Sequence, residues 1–146
     1  MTQDGKTPVW FWIIAILTLI WNGVGLAAYA DDITMSAGDF AQLTIEQQNL
    51  YANRPYWASA AFAVAVIAGF FGSIMLLMRK PIAVRLFLLS LIAALVQFGS
   101  YFILDGYMDY INRTGWTMPI AIPVLTAAFF LFAGWVEKNS LLKQAA

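Results

Sequence analysis

The sequence of 146 residues contains no cysteine and no histidine, and only 11% of its residues are charged. Without cysteine there is no disulfide framework, no thiolate nucleophile and no cysteine-based metal site. Without histidine the commonest metal ligand and the commonest general acid or base are missing. Most haem, zinc and copper ligation drops out with them. Soluble domains carry about a quarter charged residues, so a chain that is 62% hydrophobic lacks the polar surface a soluble domain presents to water. Its eight basic and eight acidic side chains cancel, and no net field remains to recruit nucleic acid. These absences predict one membrane domain over 1–146, with no cofactor, no metal and the lipid bilayer as its first partner.

Four apolar runs, at about 8–30, 56–78, 82–104 and 116–136, make up most of the remainder. Each approaches the ~20 residues a bilayer-spanning helix needs. The basic turn Arg79-Lys80-Pro81, over 79–81, hinges the middle two into a hairpin. The expected fold is therefore all-α, an integral membrane four-helix bundle of two transmembrane hairpins. Charge placement orients it. With both termini cytoplasmic, Lys6, Arg79, Lys80, Arg85, Lys138 and Lys143 fall inside, and only Arg54 and Arg113 fall outside, as the positive-inside rule requires. In the first run, Ala28-Tyr29-Ala30 ahead of Asp31 has the small-x-small pattern of a signal-peptide cleavage site. The apolar stretch has no distinct polar end region before it, which favours a retained span.

The connections carry their own signals. Within 31–55, Ser36 with Asp39 and Thr44 with Gln47 fit the capping-box pattern, predicting short helices over 37–42 and 45–52. Phe40, Leu43, Ile45 and Leu50 would then cover the outer end of the bundle as a folded cap. The segment 105–115, rich in Asp and Tyr, reads as a short outer turn. Pro119 and Pro123 predict a kink or a loosened first turn in the last span.

Inside the spans, Ala61, Ala65, Ala68, Gly69, Gly72 and Ser73 give the second run a series of small-x-x-x-small pairs, which let helix backbones approach closely in lipid. Helix packing is the expected use, with a cofactor slot the alternative. Asn22 in the first run and Gln97 in the third lie at similar depth. An unpartnered amide in hydrocarbon costs a few kcal/mol, so both should face the bundle interior, bonded to each other or to a carbonyl, or else lining a polar binding spot. Tyr29, Asp31, Trp57, Tyr101, Asp105 and Tyr107 gather at the outer ends. They read either as an interfacial aromatic belt with a solvated acidic rim or as the mouth of a solute site.

Trp10-Phe11-Trp12, Trp21-Asn22 with Gly25, Pro55-x-Trp57, Gly69 with Gly72, Leu76-Leu77-x-Arg79-Lys80, and Phe87 with Ser90-Leu91 together resemble a family of small bacterial four-helix membrane proteins often labelled "sugar transporter". The resemblance covers about 10–97 and weakens after 105. It implies a four-helix fold in the bacterial inner (cytoplasmic) membrane, and it brings no catalytic or sugar-contacting residues to carry over.

Three functional classes follow. The first expectation is a non-catalytic accessory or scaffold subunit that packs against other membrane proteins or its own copies. The alternative is an oligomeric transporter of a small neutral solute such as a sugar, with its mouth on the outer face. An enzyme would need the Asp105–Asp109 pair to share one helical face, and no nucleophile or base motif accompanies it; the chain is read as not an enzyme.

Overall fold

The computed structural model describes residues 7–142, so Lys6 and Lys143 lie outside the described residues. Among these it contains seven helices and no strand: α1 (Val9–Ile33), α2 (Ala37–Gln42), α3 (Ile45–Ala52), α4 (Tyr56–Leu77), α5 (Ile82–Ser100), α6 (Tyr107–Thr114) and α7 (Thr117–Lys138). Four of them, α1, α4, α5 and α7, are long and apolar enough to cross a membrane. Their outward faces carry large apolar side chains, among them Ile13, Leu17 and Ile20 on α1 and Leu88, Leu89 and Ile92 on α5. A helix apolar on its exposed face as well as its packed one suits lipid rather than water. The chain is accordingly read as a membrane protein.

The long helices pack in the order α1, α4, α5, α7, with α4 against both α1 and α5, and α5 against α7. The two outer members meet through aromatic rings at one end. There Trp10 of α1 lies 6.2 Å from Phe132 and 5.5 Å from Trp135 of α7, and Phe11 stacks on Phe132. Beneath these rings is a sealed core in which Phe11, Ala15, Leu76, Ala83, Phe87, Ala133 and Val136 expose no surface. This end of the bundle also holds the Arg79-Lys80 turn and is called here the turn end. The opposite end, which carries α2, α3 and α6, is the cap end.

Helix boundaries follow from local chemistry. Lipid offers no hydrogen bonds to stray backbone groups, so each helix must finish its own. Pro55 and Pro81 stand at the starts of α4 and α5, where a missing N–H costs nothing. Helix α4 closes with Lys80 N–H on the Met75 carbonyl and Arg79 N–H on the Leu76 carbonyl, 2.8 and 2.9 Å. This is the Schellman pattern, with Arg79 in the left-handed region at φ 57°. Helix α7 ends the same way on Ser140 at φ 58°, its Leu141 N–H reaching the Val136 carbonyl. The Arg79 Nε then donates to the Leu141 carbonyl at 2.6 Å and ties the two closures together. Leu142 is buried against the core, so residues 139–142 are folded onto the turn end, a feature not read from the sequence.

Three boundaries differ from those expected. Helix α1 continues to Ile33, carrying Ala28-Tyr29-Ala30 within a regular helix. Helix α5 stops at Ser100 instead of near 104; tighter i→i+3 bonds take over, as in Phe102 N–H to the Gly99 carbonyl, while the Ser100 hydroxyl donates to the Gln97 carbonyl at 2.6 Å. The segment read as a simple turn over 105–115 contains a two-turn helix, α6. Glycines in positive-φ conformations bracket it, Gly106 at 82° and Gly115 at 111°, and Ile111 pins it by burial. Helix α7 runs through Pro123 without interruption.

Candidate functional site

The site is best built outward from α4. Its small residues Ala61, Ala65, Ala68, Gly69, Gly72 and Ser73 are all buried, turned onto α1 and α5 within the same chain. Two of them face large or polar neighbours at close range. A Cβ at Gly72 would lie 3.2 Å from the Phe87 ring, and one at Gly69 would overlap the Asn22 Oδ1 atom. Glycine at 69 is therefore what lets Asn22 enter the bundle.

Asn22 is held there by two bonds. Its Nδ2 donates to the Thr18 carbonyl at 2.9 Å and to the Ser73 hydroxyl oxygen at 3.1 Å. Ser73 in turn donates to the Gly69 carbonyl at 2.8 Å. Of the two arrangements open for the amides, direct pairing of Asn22 with Gln97 is not the one adopted. Gln97 instead lies beside the Tyr101 hydroxyl, one turn along α5. Both amides border the same space.

That space is a cavity of about 400 Å³ in the cap-end half of the bundle, between α1, α4, α5 and α7. It exists because small residues meet small residues there. Ala65 packs on Ala93 and Ala94, whereas nearer the turn end Gly72 is filled by Phe87. Its edges are Val24 and Ala28 on α1 and Met118 and Ile122 on α7, exposed residues of the apolar spans. Asn22, Gln97, Ser90, Thr126 and Tyr101 supply its polar atoms, and no charged residue lines it. Ser90 and Thr126 already donate to the Ala65 and Ile122 carbonyls at 2.7 Å each.

A second cavity of about 360 Å³ lies under α6. It shares Tyr101, Met118, Pro119 and Ile122 with the first, so the two adjoin. Tyr101 and Tyr107 stack here at 5.5 Å and 19°. The structure thus brings together two of the six outer-end residues singled out from the sequence. The other four lie elsewhere. Tyr29 packs edge-on to Phe62, Asp31 and Trp57 are exposed, and Asp105 opens onto a separate groove between α3 and α6 with Glu46 and Arg113. Asp105 precedes α6 and Asp109 is within it, so the spacing of four does not place both carboxylates on one helical face.

The cap is fastened by two ion pairs, Arg54 with Asp32 and Arg113 with Glu46, neither of which was paired from the sequence. Both predicted capping boxes form, Ser36 with Asp39 and Thr44 with Gln47. Arg54 grips Asp32 with both guanidinium nitrogens, at 3.1 and 2.7 Å. Tyr51 donates its hydroxyl to the same carboxylate, and its ring lies 4.6 Å beneath the guanidinium. This triad joins the end of α1 to the end of α3. Burial, then the bond to Asp32, push the Tyr51 phenol up to about 12. Burial alone would lower Arg54, but the bond and charge of Asp32 outweigh it and the net shift is upward. Tyr107 is raised by burial. On the other side, Glu46 pairs with Arg113 and Gln47 bonds the Tyr110 hydroxyl, tying α3 to α6. The available signal was that a lone Arg54 among four acidic residues must choose one of them; which one depends on where α1 stops.

No family model, curated protein or solved structure matches the chain.

Proposed function

We propose that this is a non-catalytic membrane protein that takes a small neutral molecule through the space beside Tyr101 and Tyr107 into the cavity bordered by Asn22 and Gln97, acting as part of an oligomeric transport unit. The observation that carries the reading is the pair of adjoining cavities, which share Tyr101 and hold no charged lining residue. A neutral interior favours neutral ligands, because an ion brought there without a partner would pay a large desolvation cost. The dense turn end closes the path below, and α1 and α7 leave its side open. A second copy or another membrane protein completes that wall.

The scaffold reading is supported less. The small-residue face of α4 that would serve as its docking surface is filled by α1 and α5 of the same chain. Orientation belongs to the proposal as well. Arg79, Lys80, Arg85 and Lys138 gather at the turn end, while the cap-end arginines are each ion-paired, which favours a cytoplasmic turn end and both termini inside. The resemblance described above favours a bacterial inner membrane.

The test uses the full chain in lipid nanodiscs and a panel of neutral solutes from sugars to alcohols. A ligand at a hundred times its Kd stabilises the folded protein by about 2.7 kcal/mol, readable as a raised unfolding midpoint. At least one solute should raise it in the wild type and not in the Ala28→Trp variant, whose ring blocks the cavity edge. A panel without any such solute overturns the reading.

A further inference from the structure

At the opposite end from the solute cavity, and independently of it, we infer that a groove at the turn end holds the phosphate of an anionic membrane phospholipid, with one acyl chain laid along α5. The groove, of about 770 Å³, lies between the α4–α5 turn and the end of α7. Lys80 and Arg85 line it from the turn side and Glu137 from α7. None of the three forms an ion pair among the described residues, whereas both cap-end arginines are paired. Arg79, on the same turn, is turned away to the Leu141 carbonyl. Two positive charges therefore stand against one negative in the groove, and the single negative charge of a phosphodiester balances the difference. The rest of the wall is apolar. Met75 and Val84 also pack against the sealed core, and Met78 and Ile82 are exposed.

What continues from Arg85 favours a lipid over a soluble anion. Leu89, Ile92 and Val96 follow it at the spacing that keeps residues on one side of a helix. All three are exposed, as is Ile82 one turn before Arg85. From Arg85 to Val96 this stripe runs roughly 16 Å at ~1.5 Å per residue, about half the ~30 Å hydrocarbon core of a bilayer. It has the depth of one leaflet and carries a cation at its head. Arg85 stands one turn inside α5, and a side chain of that length keeps its stem in apolar surroundings while the guanidinium reaches back to the headgroup level. A phospholipid held there by its phosphate finds apolar protein surface along the length of its chain. A free phosphate uses only the two cations and leaves the stripe uncovered.

The experiment is native mass spectrometry of the full chain, purified in an uncharged detergent and titrated with phosphatidylglycerol or with phosphatidylcholine of the same acyl chains. Phosphatidylglycerol should fill one saturable site more tightly than phosphatidylcholine fills any. Lys80→Gln and Arg85→Gln should each weaken it roughly fivefold, and together about twenty-five-fold, the usual worth of basic residues near an anionic lipid surface. Arg85→Lys, which keeps the charge, should retain binding. Lys138→Gln removes a charge at the same end that does not line the groove, and should leave the affinity unchanged. Lys80, Arg85 and Lys138 are all exposed, so these substitutions leave the core intact. Excess glycerol 3-phosphate, a headgroup without chains, should not displace the lipid. Equal affinity for the two lipids, or equal weakening by Lys138→Gln, overturns the groove as a phosphate site. Displacement by glycerol 3-phosphate overturns the choice of a lipid in favour of a soluble anion.

Discussion

The two halves of the bundle use the same four helices and reach opposite results. At the turn end, the Phe87 ring of α5 fills the space left by Gly72 of α4, rings of α1 and α7 pack on each other, and seven side chains expose no surface at all. At the cap end, alanine faces alanine across α4 and α5, α1 and α7 no longer meet through aromatic rings, and a cavity opens around two amides. The difference teaches that a small-x-x-x-small face is not by itself a close-packing device. It yields density where the neighbour is bulky and emptiness where the neighbour is also small.

The largest effect that can break this comparison is a truncation series. Phe87→Ala removes a fully buried ring and should destabilise the protein by about 3–5 kcal/mol, read from unfolding in detergent. Phe98→Ala, at the edge of the cavity, should cost less than half as much. Equal losses would mean that the cap end is packed as tightly as the turn end. Overpacking sharpens the contrast from the other direction. Gly72→Leu meets the Phe87 ring and should cost about 1–3 kcal/mol. Ala28→Leu adds bulk at the cavity edge and should shift stability by no more than about 0.5 kcal/mol.

Next in size is the cap fastening. Arg54→Ala leaves the Asp32 carboxylate, whose side chain is only 10% exposed, with Tyr51 as its remaining partner among the described residues. Loss of a largely buried pair of this kind should cost about 2–3 kcal/mol, confined to the cap. Hydrogen exchange at the amides of α2 and α3 should accelerate accordingly, while those of α4 and α5 near the turn end stay protected. Uniform acceleration along the chain would show that the two ends are one cooperative unit.

The smallest effect is a pH dependence. With its phenol pushed up to about 12 from an ordinary 10.0, Tyr51 is neutral in the folded and unfolded cap below pH 10. Between pH 10 and about 12 the unfolded chain releases that proton and the folded cap retains it, so cap stability falls as pH rises through this window. Phenolate absorbance in a Tyr51→Phe difference titration should place this group near 12; a midpoint at 10 would show that neither burial nor the Asp32 contact holds it.

Periodicity and capping were legible over most of the chain. The four apolar runs, the short cap helices 37–42 and 45–52 and their boxes at Ser36 and Thr44 could be read because each depends on residues within one helical turn of each other. Helix α6 was readable in principle, since Tyr107, Ile111 and Thr114 repeat at helical spacing between two glycines, but a segment so short and polar has no helical identity until Ile111 finds a buried place. The site was legible in parts. Asn22 and Gln97 stood out as amides among apolar residues, yet their partners did not, because Ser73 is 51 positions from Asn22.

By itself, then, the sequence determined the all-helical character, the four apolar spans and the absence of thiol and imidazole chemistry, all of which are local or compositional properties. Only the tertiary structure decided that Gly69 makes room for Asn22, that Asp32 is the carboxylate Arg54 chooses, and that Tyr101 adjoins the cavity while Tyr29, Asp31, Trp57 and Asp105 do not. The physical reason is the same in each case. A void, an ion pair or a shared wall depends on how far apart two helices stand, and that distance is set by side chains on both of them together.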